Sequence, residues 1–120
     1  MTIKMHKAKK SGSNAPERGD IVLLGFDPQK GKEIQKTRPA LTLSPKQYNQ
    51  KTGLGLFAPI TSSIKGYPFE IPVEDPKIDG VILADQVKSF DWQALKARKI
   101  GQLRGEPLET VLTMVRLLLQ

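Results

Sequence analysis

The apolar positions of this chain fall in short runs, each closed by glycine, proline or a polar cluster. Residues 21–26 (IVLLGF), 40–44 (ALTLS), 54–60 (LGLFAPI) and 67–73 (YPFEIPV) have the length and punctuation of strands. Residues 81–84 (VILA) begin a fifth strand that reads on through Phe90, and 99–103 (KIGQL) form a sixth. Pro59, Pro68 and Pro72 have no N–H to donate, so their strands read as edges or strand ends. Arg38 precedes Pro39 and is pushed to extended geometry, which closes the loop before the second strand. Asp27-Pro28-Gln29-Lys30-Gly31 has turn chemistry, and Gly80 suits a backbone of positive φ. Residues 45–53 have room for a helical turn around Tyr48-Asn49, and 92–99 read equally as a helical turn or irregular chain.

Near the C-terminus the period changes. Leu108, Val111, Leu112, Val115, Leu118 and Leu119 recur at the spacing of one helical face, with Pro107 at the expected first helical residue. Glu109 and Arg116 sit near the ends where their charges favour the helix dipole. Several short strands followed by one helix predict a mainly β fold, a small barrel with a C-terminal helix.

Charge and composition narrow the setting. The 120 residues carry a net charge of +7, and residues 1–18 hold five Lys or Arg against one Glu. That stretch is also broken by Gly, Ser, Asn and Pro, so it reads as a mobile basic tail, with one folded domain over 19–120. The excess of positive charge fits a polyanionic partner or, equally, a solvated surface. There is no cysteine, which removes disulfides, thiolate metal sites and a Cys nucleophile. The lone histidine, His6, lies in the tail, where no general base is held in register. No apolar run approaches the ~20 residues of a membrane span, and a cytoplasmic protein is expected.

Polar groups concentrate in three segments at strand ends: FDPQKGKEIQKTRPA (26–40), PITSSIKGYPFE (59–70) and LADQVKSF (83–90). None contains HExxH, a phosphate-binding glycine loop or a two-metal carboxylate cluster, so neither metal nor cofactor is expected. The toolkit is Arg, Thr, Ser, Lys and single carboxylates. RNA cleavage suits it, because RNA brings its own 2′-hydroxyl nucleophile and needs alignment, proton removal and charge stabilisation. Arg38 has the planar, permanent charge of a phosphate clamp. Thr61 and Ser62 have hydroxyls to donate to the same oxygens, and Glu33 is placed to take a proton. Each residue also has a plainer reading. Arg38 pairs with Glu33 or Asp85, Thr61 is a turn residue, Glu33 is a solvated charge, and Asp85 caps a turn.

These segments, taken in order, resemble the MazF/PemK toxin family. GDIVLLGFDPQKG (19–31), TRPA (37–40), LSPKQYNQKTG (43–53), APITSSIKGYPFE (58–70) and DGVILADQVKSFDW (79–92) carry the resemblance over roughly residues 19–119. It implies an SH3-like or CcdB-like antiparallel barrel acting as a homodimer. It also implies a metal-independent endoribonuclease that cuts single-stranded RNA to 2′,3′-cyclic phosphate and 5′-hydroxyl ends. Arg38 and Thr61 match the family's essential arginine and threonine, and Glu33 its loop glutamate. Lys32, Ser62, Ser63, Lys65, Tyr67, Asp85, Gln86 and Lys88 fall in segments that line the RNA groove. Where one branch has histidine and arginine, this chain has Lys32 and Leu83, so it resembles the MazF branch and Asp85 becomes a binding or structural residue. The resemblance further implies an acidic antitoxin with a disordered segment, which alone would contact DNA. Two alternatives stand beside it. A silent RNA-binding module would lack Arg38 and Thr61. A gyrase poison of the same fold would end in an aromatic-Gly-Ile sequence, whereas this chain ends Leu117-Leu118-Leu119-Gln120.

Overall fold

The structure is a computed structural model and describes residues 14–26 and 36–120. The turn expected at 27–31, together with Lys32, Glu33 and His6, lies outside the described residues. The elements are β1 (Asp20–Phe26), β2 (Lys36–Thr42), α1 (Lys46–Thr52), β3 (Leu54–Thr61), β4 (Glu70–Pro72), β5 (Val81–Leu83), β6 (Lys88–Asp91), β7 (Arg98–Gln102) and α2 (Gly105–Leu117).

All strand pairs are antiparallel, in the order β4-β5-β3-β2-β1-β7. β6 lies alongside the first half of β3 and β5 alongside its end. The predicted barrel is thus present as a curled half-barrel with a C-terminal helix, whose end strands β4 and β7 do not pair.

Strand alternation sorts the apolar residues onto two faces. Ile21, Leu41, Ala58, Ile60, Ile71 and Ile82 share one cluster, which α2 covers through Val111 with Leu108, Leu112 and Val115. Their neighbours Val22, Leu24, Ala40 and Phe57 form a second cluster on the opposite face, covered by Ala15 and Trp92. A one-residue slip in any strand would exchange these sets, so the two cores fix the register.

Several boundaries differ from the sequence expectation. β2 begins at Lys36 and ends at Thr42, so Arg38 and Pro39 are strand residues. The fourth strand shrinks to Glu70–Pro72, because Pro68 and Pro72 withhold donors on either side. The fifth strand does not run to Phe90. Gln86 N–H bonds the Leu83 carbonyl at 3.1 Å, and the chain turns before re-entering as β6. Residues 92–96 are turns around the buried Trp92, and β7 starts at Arg98. Pro107 is the third residue of α2 rather than the first; N–H groups throughout the first turn lack helical partners, so it forfeits nothing there.

Residues 14–18, expected in the tail, pack against the domain. Ala15 is buried, Pro16 O accepts from Asn49 Nδ2 at 2.8 Å, and Arg18 Nε donates to Leu43 O at 2.7 Å. Asn49 is itself fully buried. Its amide also bonds Ser44, and its carbonyl accepts from Trp92 Nε1 at 2.9 Å. One side chain thereby ties α1 to the N-terminal segment, and its backbone ties in Trp92.

Candidate active site

The site grows from the register of β2 and β3. Ala40 faces Pro59, Leu41 faces Ala58 and Thr42 faces Phe57. The paired stretch stops at Ala40 and Pro59, next to two prolines without donors. Arg38 and Thr61 lie two residues beyond that last pair, on the two strands as they leave the ladder. Arg38 lies opposite Leu24 in β1 and is exposed, at the open margin of the second apolar cluster. The same alternation puts Thr61, Leu83 and Glu70 on that face, since Thr61 pairs Val81 and Glu70 pairs Leu83.

Beyond Thr61 lies a groove of about 190 Å³ lined by Thr61, Ser63, Lys65, Tyr67, Glu70, Leu83 and Gln86. Five of the residues expected to meet RNA therefore converge. Thr61 Oγ1 accepts from the Ser63 N–H at 3.0 Å, which orients the hydroxyl and leaves its proton to donate. Tyr67 closes one side by donating its O–H to Asp85 Oδ1 at 2.9 Å. That hydrogen bond, then desolvation and the charge of Asp85, hold the Tyr67 hydroxyl above its ordinary range, against a lowering contribution from Gln86. Tyr67 is thus kept as a neutral donor.

Asp85 meets Tyr67 instead of Arg38, and among the described residues the ion pair present is Lys99–Asp20, at 3.3 Å. Ser62 is exposed beside the groove without lining it. Lys88 is not brought to the groove. It pairs with Phe57, four residues before Thr61 and roughly 13 Å away at ~3.3 Å per strand residue.

Two further residues shape the site: Glu70, which was not singled out from the sequence, and Gly80, which was expected only as a turn glycine. Glu70 accepts from the backbone N–H of Lys65 at 2.9 Å and of Gly66 at 2.7 Å. Gly80 has φ +148°, and a Cβ there would lie 2.4 Å from the Thr61 carbonyl oxygen. The positive φ expected at Gly80 was legible; the backbone it makes room for was not. Among the described residues no three of His, Cys, Asp and Glu gather as metal ligands, and no helix is long and apolar enough to cross a membrane.

The chain is a small domain built as a curled antiparallel half-barrel, with a polar groove at the end of β3 lined by Thr61, Lys65 and Tyr67. Residues 17–119 match the sequence profile of the family described as PemK-like, MazF-like toxin of type II toxin-antitoxin system. The endoribonuclease toxin MazF of Escherichia coli (strain K12) is 45% identical over 104 residues, covering 87% of this chain and 94% of the relative. The endoribonuclease toxin ChpB of the same strain is 42% identical over 102 residues, covering 80% and 87%. A solved MazE-MazF complex from Deinococcus radiodurans superposes with a TM-score of 0.81 at 40% identity, covering 88% of this chain and 96% of that one. The chain belongs to the PemK-like, MazF-like family: it is a type II toxin, and an endoribonuclease toxin by the names its relatives carry.

Proposed function

We propose that this toxin cleaves single-stranded RNA by intramolecular transesterification. The support for the reading is the placement of Arg38 and Thr61 two residues beyond the last β2–β3 pair, Ala40–Pro59, with Thr61 lining a polar groove. The RNA 2′-hydroxyl attacks the adjacent phosphorus and loses its proton to a base. The P–O5′ bond breaks, leaving a 2′,3′-cyclic phosphate, and the 5′-oxygen takes up a proton to leave as a 5′-hydroxyl. Arg38 offers paired N–H groups to the non-bridging oxygens as charge builds on the phosphorane. Thr61 donates its oriented hydroxyl to the same group. Glu33, outside the described residues, is the proposed base. Ser63, Lys65, Tyr67 and Gln86 bind the nucleotides beside the scissile bond, with Ser62 and Lys32 at the margin. Asp85 serves by fixing Tyr67. Lys88 belongs, at most, to a more distant phosphate contact on the same face.

The relatives support the partners. Solved structures of similar proteins include MazE-MazF complexes, so an acidic antitoxin segment is the expected inhibitor here, competing with RNA for a basic face. DNA contact would come through that antitoxin. A homodimer is supported by an apolar groove of about 490 Å³ between β3, α1 and α2, lined by Leu43, Tyr48, Leu56, Val87, Leu112 and Val115. Leu117, Leu118 and Leu119 extend it as exposed apolar surface. A second copy would cover both. Cleavage of translated RNA is consistent with action in the cytoplasm, the localisation proposed here.

End-group analysis tests the chemistry. Incubation with a single-stranded transcript in EDTA is expected to yield 5′-hydroxyl and 2′,3′-cyclic phosphate ends. Cleavage lost on chelation, or 5′-phosphate ends, would overturn the proposal.

A further inference from the structure

The groove has a carboxylate on its wall that its chemistry does not call for. A negative charge beside an RNA path repels phosphate, yet Glu70 is directed inward. Its Oε2 accepts from the Lys65 N–H at 2.9 Å and its Oε1 from the Gly66 N–H at 2.7 Å. Its own N–H donates to the Tyr67 carbonyl at 3.1 Å. Glu70 therefore grips three consecutive residues, 65–67, by both ends of its structure: side chain to the first two and backbone to the third. Gly66 has φ +83°, the left-handed geometry that lets two successive N–H groups converge on one anion. β4 anchors the grip, since Glu70 is its first residue and pairs Leu83 across the sheet.

We propose that Glu70 is a positioning residue for RNA cleavage: it sets the Lys65–Tyr67 wall of the groove at a fixed distance from Thr61. Two charge-assisted bonds to adjacent amides define the path of the loop at Lys65 and Gly66, between its ties through Ser63 and through Tyr67. From that path follow the placement of the Lys65 ammonium and the reach of Tyr67 to Asp85. The carboxylate's charge is spent on amides, so the wall presents Lys65 and the Tyr67 ring to the nucleic acid. This role rests on the ribonuclease reading above. Glu70 touches no reacting atom in it and acts through Lys65 and Tyr67.

The isosteric variant Glu70→Gln separates positioning from charge. Glutamine keeps the size but has one acceptor oxygen, and its NH₂ would oppose an N–H of the loop. It also removes a negative charge, which by itself favours RNA binding. Steady-state cleavage of a short single-stranded oligonucleotide, melting temperature and backbone amide NMR are measured on wild type and variant. Positioning predicts that kcat/KM falls on the order of tenfold or more, the scale of a small misplacement of groups around a reacting phosphate. It predicts that the Lys65 and Gly66 amide resonances move upfield and exchange faster, while the melting temperature stays near wild type. Tighter RNA binding with unchanged kcat would show Glu70 to be a bystander charge and overturn the proposal. So would a loss of activity fully matched by a loss of folded protein. Wild-type protein that fails to cut RNA would sink the ribonuclease reading itself, an outcome distinct from a wild type that cuts and a variant that cuts equally well.

Discussion

Tyr67 and Asp85 are joined by a 2.9 Å hydrogen bond from the phenol O–H to Oδ1, although 18 positions separate them in the chain. The bond links the loop after β3 to the turn after β5, and so closes one side of the groove. Its acidity follows from its geometry. The hydrogen bond to Asp85, which only the protonated phenol donates, then desolvation and the Asp85 charge, hold the Tyr67 proton above the ordinary value of 10.0. The folded pKa is raised, and the bond's contribution is therefore present below pH 10.0 and lost as pH rises through the folded value. The difference in tyrosinate absorbance between wild type and Tyr67→Phe is expected to titrate above 10.0, and Asp85→Asn should bring the midpoint down. A midpoint unmoved by Asp85→Asn would contradict the assignment.

Gly80 is expected to be intolerant of a side chain for a reason that lies in the site. A Cβ would fall 2.4 Å from the Thr61 carbonyl oxygen, with the backbone at φ +148°. Gly80→Ala should cost roughly 1–3 kcal/mol in backbone strain and displace Thr61. Cleavage should fall by more than the lost folded fraction, on the order of tenfold or more, through kcat. A variant with wild-type kcat would show that Thr61 does not depend on this contact.

Asn49 carries stability rather than chemistry. Its side chain is fully buried and bonds Ser44 and the Pro16 carbonyl. Asn49→Ala strands these groups and should destabilise the domain by about 3 kcal/mol, a fall in melting temperature of roughly 10 °C. Because the Asn49 carbonyl accepts from Trp92 Nε1, Trp92 emission should report loosening there. Thermal melts followed by fluorescence check both, and an unchanged melting temperature would count against the hub.

The dimer proposal is tested at Leu56, which is 40% exposed and lines the apolar groove. Leu56→Glu leaves the folded monomer little altered but puts a charge into the proposed seam. Sedimentation should show wild type at twice 13.3 kDa and the variant shifted toward the monomer. A wild type that sediments as a monomer would remove the dimer.

The strands Asp20–Phe26 and Leu54–Thr61 were legible because continuous apolar runs need little context. The terminal helix was legible because Leu108, Val111, Leu112 and Val115 repeat at helical spacing and pack on one core. The turn between β5 and β6 was not, since Val81–Asp91 is extended-compatible throughout and only pairing with different halves of β3 divides it. Arg38 and Thr61 were legible as chemistry and through resemblance, but their places just beyond the β2–β3 ladder depend on a register set by cores elsewhere in the sheet. Glu70 was hidden for a similar reason. A lone glutamate between Phe69 and Ile71 gives no sign in sequence that two backbone amides will claim it. The docking of residues 14–18 depends on Asn49 and Leu43, more than 20 positions away, so composition alone read them as tail.

The central claim is that Arg38 and Thr61 act together on one phosphate. Rates of cleavage of a single-stranded RNA should be measured for Arg38→Ala, Thr61→Ala and the double variant, in EDTA, with folding checked by circular dichroism. Each single substitution is expected to lower the rate on the order of a hundredfold or more, the scale of removing one preorganised donor to a developing oxyanion. The double variant should lose much less than the product of the two, as for residues working as a unit. Folded single variants that cleave at the wild-type rate would contradict the account.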